Sequence, residues 1–140
     1  MLETINVMLD EGAFMPERAH EDDAGFDIFS PVKTCIWRHD SKVIDTGVHV
    51  EIPSGYVGML KSKSGLNVKH DLTGEGVIDS GYTGSIVCKL YNHGIENYHI
   101  EKGDKIIQLV ILPIETPKPV LVDSFSKSER GSNGFGSTGR

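Results

Sequence analysis

Apolar residues in this chain fall in short runs, and none recurs at the three-to-four spacing of an amphipathic helix. Runs rich in β-branched and aromatic residues cover 5–9, 43–52, 56–61, 85–92 and 105–114, with Gly, Pro, Asp and Ser between them. In the second run Val48, Val50 and Ile52 share one face at strand period. Pro53-Ser54-Gly55 follows and predicts a hairpin-like turn into Tyr56. Many short strands separated by turn signals predict an all-β sandwich, jelly roll or barrel.

The stretch 106–112 breaks the alternation. It reads Ile-Ile-Gln-Leu-Val-Ile-Leu, apolar on both faces except at Gln108. A strand covered on both sides has this pattern, and in so small a domain a second subunit could supply one cover. Gln108 then needs partners, either backbone or a polar site. Pro113, Pro117 and Pro119 discourage further pairing, and beyond Phe125 the chain is mostly Ser, Gly, Asn, Lys and Arg. The expected organisation is a body over 1–117, then a connector and mobile arm over 118–140, with no internal repeat.

The chain has 140 residues, enough for one domain with its own core. Lys and Arg total 14 against 20 Asp and Glu, a formal charge of −6, which argues against a nucleic-acid coat. An acidic protein that handles phosphates must gather them with local cations, backbone N–H groups or a metal. Cys35 and Cys88 carry no spacing pattern and read as small buried side chains in a reducing compartment. No stretch resembles a signal peptide or a membrane span, so the expectation is a soluble, cytoplasmic protein without membrane contact.

Three segments carry possible chemistry. Lys63-Ser64-Gly65-Leu66 offers a cation, a hydroxyl and a close-approach glycine for phosphate oxygens, although Ser-Gly is also an ordinary turn. The segment 76–84 reads Gly-Val-Ile-Asp-Ser-Gly-Tyr-Thr-Gly. There Asp79 could hold a water and accept its proton, and Tyr82 could lie against a flat ligand; a plain hairpin is the alternative. The tail from Arg130 contains Gly131, Gly134, Gly136 and Gly139, with Phe135 among them. It is either a loose terminus or an arm whose Phe stacks on a base and whose Arg pairs with phosphate. No GxxxxGK[ST] loop is present. His49-Val50-Glu51 matches half of a zinc deaminase signature, but the P-C-x-x-C half is missing.

With Ala24-Gly25-Phe26-Asp27-Ile28 before them and the stretch from Gly103 to Leu109 between the second and third, these make five segments in order. Together they closely resemble the five signature motifs of the trimeric dUTPases. The resemblance implies a distorted jelly-roll subunit of β-clip type and a homotrimer whose sites are shared among chains. The activity it implies is hydrolysis of dUTP to dUMP and pyrophosphate with Mg²⁺, which limits uracil in DNA and supplies dUMP. By position, Asp79 would deprotonate the attacking water and Tyr82 would lie on the deoxyribose. Gly76, Ile78 and Ser85 would frame uracil, and Phe135, beside Gly136, would stack on it. Lys63, Ser64, Gly65 and Gln108, with Arg130, Ser137 and Thr138 from the arm, would hold phosphates. Asp27 would support the metal and phosphate region without reacting or ligating directly.

Two positions depart from the family pattern. Lys63 stands where Arg is usual, keeping the charge but losing the planar fork, and Ser85 stands where Asn is common. The resemblance also leaves room for a regulatory protein partner. A dCTP deaminase shares the fold, but the Val-Ile-Asp-x-x-Tyr setting and the Phe-Gly-Ser-Thr arm favour dUTP hydrolysis.

Overall fold

The computed structural model describes residues 1–139; Arg140 lies outside the described residues. Eleven strands and one short helix form four small sheets. The largest has the order β2-β11-β6-β8, from strands Gly25–Phe29, Lys105–Pro113, Tyr56–Lys61 and Gly76–Ile78. A second joins β4 (Ser41–Asp45), β9 (Val87–Asn92) and β7 (Leu72–Thr73). Two pairs complete the set: β1 (Asn6–Leu9) with β5 (Val48–Glu51), and β3 (Thr34–Ile36) with β10 (Tyr98–Ile100). Every named pairing is antiparallel.

The core follows from period-two patterning. In β9, Cys88, Leu90 and Asn92 are buried while Val87, Lys89 and Tyr91 face outward. Val48, Val50 and Ile52 are buried together, as their spacing predicts. β11 lies between β2 and β6, so Ile106, Ile107 and Leu109 are fully enclosed, whereas Leu112 near its end is exposed. Buried Asn92 is satisfied by donating to the Ile36 and Glu96 carbonyls at 3.0 and 2.8 Å and accepting from the Gly94 amide at 2.9 Å. Cys88 is buried as expected, and burial pushes its thiol up to about 12; Cys35 is only half-buried.

The structure corrects three expectations. The run 43–52 is not one strand: it divides into β4 and β5, in different sheets, at Gly47, whose φ of 67° suits glycine. The turn at 53–56 exists, with the Tyr56 amide bonded to the Pro53 carbonyl at 3.2 Å. It does not close a hairpin, because β5 pairs with β1 while β6 pairs with β11 and β8. Finally, Ser64–His70 forms helix α1. None of its residues is buried, so no apolar stripe announced it, and Asp71 ends it in the left-handed region.

β11 ends at Pro113, and residues 114–139 contain no strand or helix. No helix among the described residues is long and apolar enough to cross a membrane.

Candidate active site

Sheet register brings three of the five segments together. Gln108 on β11 lies opposite Asp27 on β2 and Lys61 on β6. From Lys61 the chain passes through Ser62 and Lys63 into α1, which opens at Ser64. The Gln108 amide donates to the Ser62 carbonyl at 3.0 Å. The one polar residue of the apolar run is therefore tied to backbone, and it steadies the loop that presents Lys63, Ser64 and Gly65. Gly25 is required beside it, since a Cβ there would sit 2.7 Å from Gln108 Oε1.

Asp27 is the charge centre of this corner. Its side chain is 6% exposed and receives Lys63 on Oδ1 and Lys105 on Oδ2, the latter at 2.9 Å. Burial works to raise its pKa, but the hydrogen bonds and charges of the two lysines outweigh that and hold it below the ordinary carboxylate value. Asp27 thus holds two lysine ammonium groups together at this corner, and Glu17 and Asp23 also lie close enough to act on Lys105. Its contribution to stability is full above the ordinary value of 3.8 and is lost as pH falls through the lower, folded value. Asp27→Asn is therefore expected to lower the unfolding temperature at about pH 6 and to make little difference near about pH 2. Thermal unfolding of both proteins across that range checks this; an equal gap at both ends would show that the ion pairs are not its source.

Asp79 lies elsewhere. β8 runs antiparallel to β6 with Ile78 opposite Gly58, so Asp79 leaves the sheet at the end remote from Lys63. At about 3.3 Å per strand residue the two are separated by roughly 15 Å or more within one chain. Asp79 is exposed and opens a β-turn closed by the Tyr82 amide on its carbonyl at 3.2 Å, with Gly81 at φ 84°. The expected hairpin is a turn whose flanking strands pair with other partners: β8 with β6, and β9 with β4 and β7. The Tyr82 hydroxyl donates to the Ser85 carbonyl at 2.9 Å, folding its ring back over Gly84. A Cβ at Gly84 would approach Tyr82 Cζ to 2.6 Å, so any other residue there would displace the ring from this setting.

Other predicted residues divide clearly. The Ile78 side chain is buried in the core, so only its backbone can meet a ligand. Gly76 lets β8 lie close to β6; a Cβ would meet Leu60 Cδ1 at 3.0 Å. The Ser85 hydroxyl is occupied by Asp45, which also accepts from the Gly47 amide at 3.0 Å. Arg130, Phe135, Gly136, Ser137 and Thr138 sit on the exposed tail, none against the body's segments, and Phe135 is fully exposed with φ 50°. Sequence reasoning missed Lys105, which shares Asp27, and His49, which grips the Asp79 loop from behind; only its match to half a deaminase signature had drawn attention to His49.

Two cavities indent the body. One, of about 570 Å³, is lined by residues such as Val7, Met15, Phe26 and Tyr56; the other, of about 560 Å³, borders Ser80, Gly81 and Thr83 together with Asn6 and Glu51. Neither is lined by Asp79, Tyr82, Ser64 or Phe135. Among the described residues no group of three or more His, Cys, Asp or Glu is placed to hold a metal ion.

An all-β body of this topology, with a lysine–aspartate corner, a carboxylate turn and an exposed glycine-rich tail, has a jelly-roll-like fold. The dUTPase family pattern matches residues 11–139, and the chain belongs to the dUTPase family. It is 42% identical over 134 residues to the deoxyuridine 5'-triphosphate nucleotidohydrolase of Clostridium acetobutylicum, covering 94% of this chain and 92% of that one. The mouse enzyme of the same name is 39% identical over 135 residues, covering 96% and 83%. Among solved structures, the dUTPase of Staphylococcus bacteriophage 80alpha with dUPNHPP superposes with a TM-score of 0.93 at 39% identity, covering 99% of each chain. A mutant dUTPase from phage phi11 of S. aureus, described as coordinating a structural Mg(II) ion, gives 0.82 at 38% identity, covering 87% of this chain and 98% of that one.

Proposed function

We propose that this chain is a dUTP diphosphatase in which Asp79 accepts the proton of a water that attacks the α-phosphorus of dUTP. The products are dUMP and pyrophosphate. The observation that carries this reading is the family match across 11–139, which includes all five segments with Asp79 exposed at the head of its turn. An exposed carboxylate on a short turn can accept a proton without moving the sheet behind it.

The separation of Asp79 from the Lys63 corner supports a homotrimer in which each site is shared. One subunit supplies the Asp79 turn, and a neighbour supplies Lys63, Ser64, Gly65 and Gln108. The body, residues 1–117, forms the trimer, and the arm from residue 118 closes over a neighbour's site. Its exposed Phe135 then stacks on uracil, while Arg130, Ser137 and Thr138 meet the phosphates. Lys63 reaches phosphate as a single point charge, since it lacks the fork of arginine. Tyr82, held over Gly84, presents its ring to the deoxyribose, and a ribose 2′-hydroxyl pressed on that ring loses its water, at about 1–3 kcal/mol.

The chemistry of the donors suits a Mg²⁺ carried on the triphosphate. Both oxygens of Asp27 are engaged by lysines, so Asp27 would support the ion without ligating it, and phosphate oxygens and water would hold it. When bound, Mg²⁺ spreads the negative charge of the phosphates. Backbone groups of residues 76–85 read the base: uracil presents acceptor, donor and acceptor in order. Cytosine reverses two of them, and such buried mismatches give rejection of roughly 10⁴–10⁵-fold.

Incubation with dUTP, dCTP, dTTP and UTP in the presence of Mg²⁺, followed by separation of products, tests the reading. Only dUTP is expected to be consumed, giving dUMP and pyrophosphate. Ammonia released from dCTP would instead assign a deaminase, and no turnover of any nucleotide would leave a binding protein.

A further inference from the structure

His49 lies on β5 with its ring turned away from the core that Val48 and Val50 enter. Nδ1 is 2.8 Å from the Thr83 carbonyl oxygen, and Nε2 is 2.9 Å from Asp10 Oδ1. A carbonyl and a carboxylate can only accept. Both ring nitrogens must therefore donate, and an imidazole with two donors is the imidazolium cation. Thr83 belongs to the loop that begins at Asp79, and the hydrogen bonds of that loop form a chain. The Tyr82 amide closes on Asp79, the Tyr82 hydroxyl on Ser85, and the Ser85 hydroxyl on Asp45. Beyond it, the Ile86 amide is fixed to the Val48 carbonyl at 2.7 Å. The Ser85–Ile86 end of the loop is thus bonded to β4 and β5, and its Asp79 end continues directly from β8, which is paired with β6. Its middle is pinned by His49.

We infer that His49 is a positioning residue for the substrate-binding loop, clamping Thr83 to Asp10 as a cation and releasing one of the two when it loses its proton. The inference rests on the dUTPase reading above. A neutral imidazole keeps one N–H, so either Thr83 or Asp10 is left facing a lone pair. The loop then gains freedom at the point midway between Asp79 and the Asp45 anchor, and Tyr82 loses its fixed setting. The charged groups facing His49 are Asp10, from the segment after β1, and Asp45, at the end of β4. On its own strand the nearest is Glu51, occupied by the Asn6 amide at 2.7 Å. All three are acids. The Thr83 carbonyl first, then Asp10, raise the His49 pKa above the ordinary 6.5, so the clamp is complete at lower pH and is lost as pH rises through that higher folded value.

Steady-state kinetics on dUTP from about pH 5.5 to about pH 9 test this. Wild-type KM is expected to be low on the acid side and to rise about tenfold through the His49 transition, with a smaller change in kcat. His49→Gln, which cannot titrate, is expected to keep the high KM at every pH. Asp10→Asn leaves an acceptor but removes the charge, and is expected to move the KM transition to lower pH. The imidazole resonances of His49, followed by NMR in the wild type and in Asp10→Asn, are expected to titrate at the same midpoint as KM, and the amide spectrum of each sample, His49→Gln included, checks that it is folded. Parallel KM profiles for wild type and His49→Gln would overturn the inference, as would a midpoint that Asp10→Asn leaves in place. Failure of the wild type to hydrolyse dUTP would instead overturn the assigned reaction.

Discussion

Replacing Asp79 by Asn is expected to leave dUTP binding intact and to slow its hydrolysis by about 10²- to 10⁴-fold, the usual contribution of a positioned base. Asn is close to Asp in shape, and the turn it opens is closed through its backbone carbonyl, not its side chain. Its side chain is exposed and sits on no core residue, so the substitution costs little stability. The loss should fall on kcat, with KM for dUTP nearly unchanged. Pre-steady-state product formation together with equilibrium binding of dUTP to the variant separates the two quantities. Turnover within a few-fold of wild type would remove Asp79 from the role of base.

Deleting residues 130–140 is expected to lower kcat/KM by about 10²-fold or more while leaving the assembly and its unfolding temperature unchanged. The reason lies in where the tail is. Residues 130–139 make no strand and all but Gly134 are exposed, and their turns, such as the Asn133 amide on the Arg130 carbonyl at 3.1 Å, are local. Removing it takes nothing from the core. What it takes away, on the function proposed above, is the aromatic ring and the cation that close on the nucleotide. Activity assays paired with light scattering check both halves of the statement. A truncated protein with full activity would make the tail a bystander, and one that falls apart into single chains would make it a structural strap.

The sequence made the strands legible where burial alternates residue by residue. Val48, Val50 and Ile52 face one way because each contributes to the same core, and period two records that directly. The same pattern could not tell which strands meet. Residues 43–52 look continuous by hydropathy, yet Gly47 turns the chain from one sheet to another, and only the strand partners, Cys88 for Ile44 and Val7 for Val50, reveal it. Helix α1 was invisible for the opposite reason: only Leu66 packs against the core and no residue is fully buried, so no stripe of apolar side chains marks its period. At the site, the residue types of the five segments were readable from the chain, including the need for a partner at Gln108. Their distances were not. The Asp27 pair with Lys105 joins residues 78 positions apart through sheet register, and the grip of His49 on Thr83 crosses between a strand and a loop. Neither leaves a mark in local composition.

The placement of Asp79 and Lys63 at opposite ends of β6 has a genetic consequence in the shared-site trimer proposed above. A defect in one chain does not stay with that chain. A subunit lacking Asp79 still lends its lysine corner to a neighbour's carboxylate, and a subunit lacking its arm still offers its own carboxylate to others. Two inactive alleles of these kinds, expressed together, restore some complete sites by complementation. A single defective allele spoils sites in trimers that are otherwise normal. With one kind of defect the number of dead sites equals the number of defective chains; with two kinds mixed, the yield of complete sites depends on which chains assemble together.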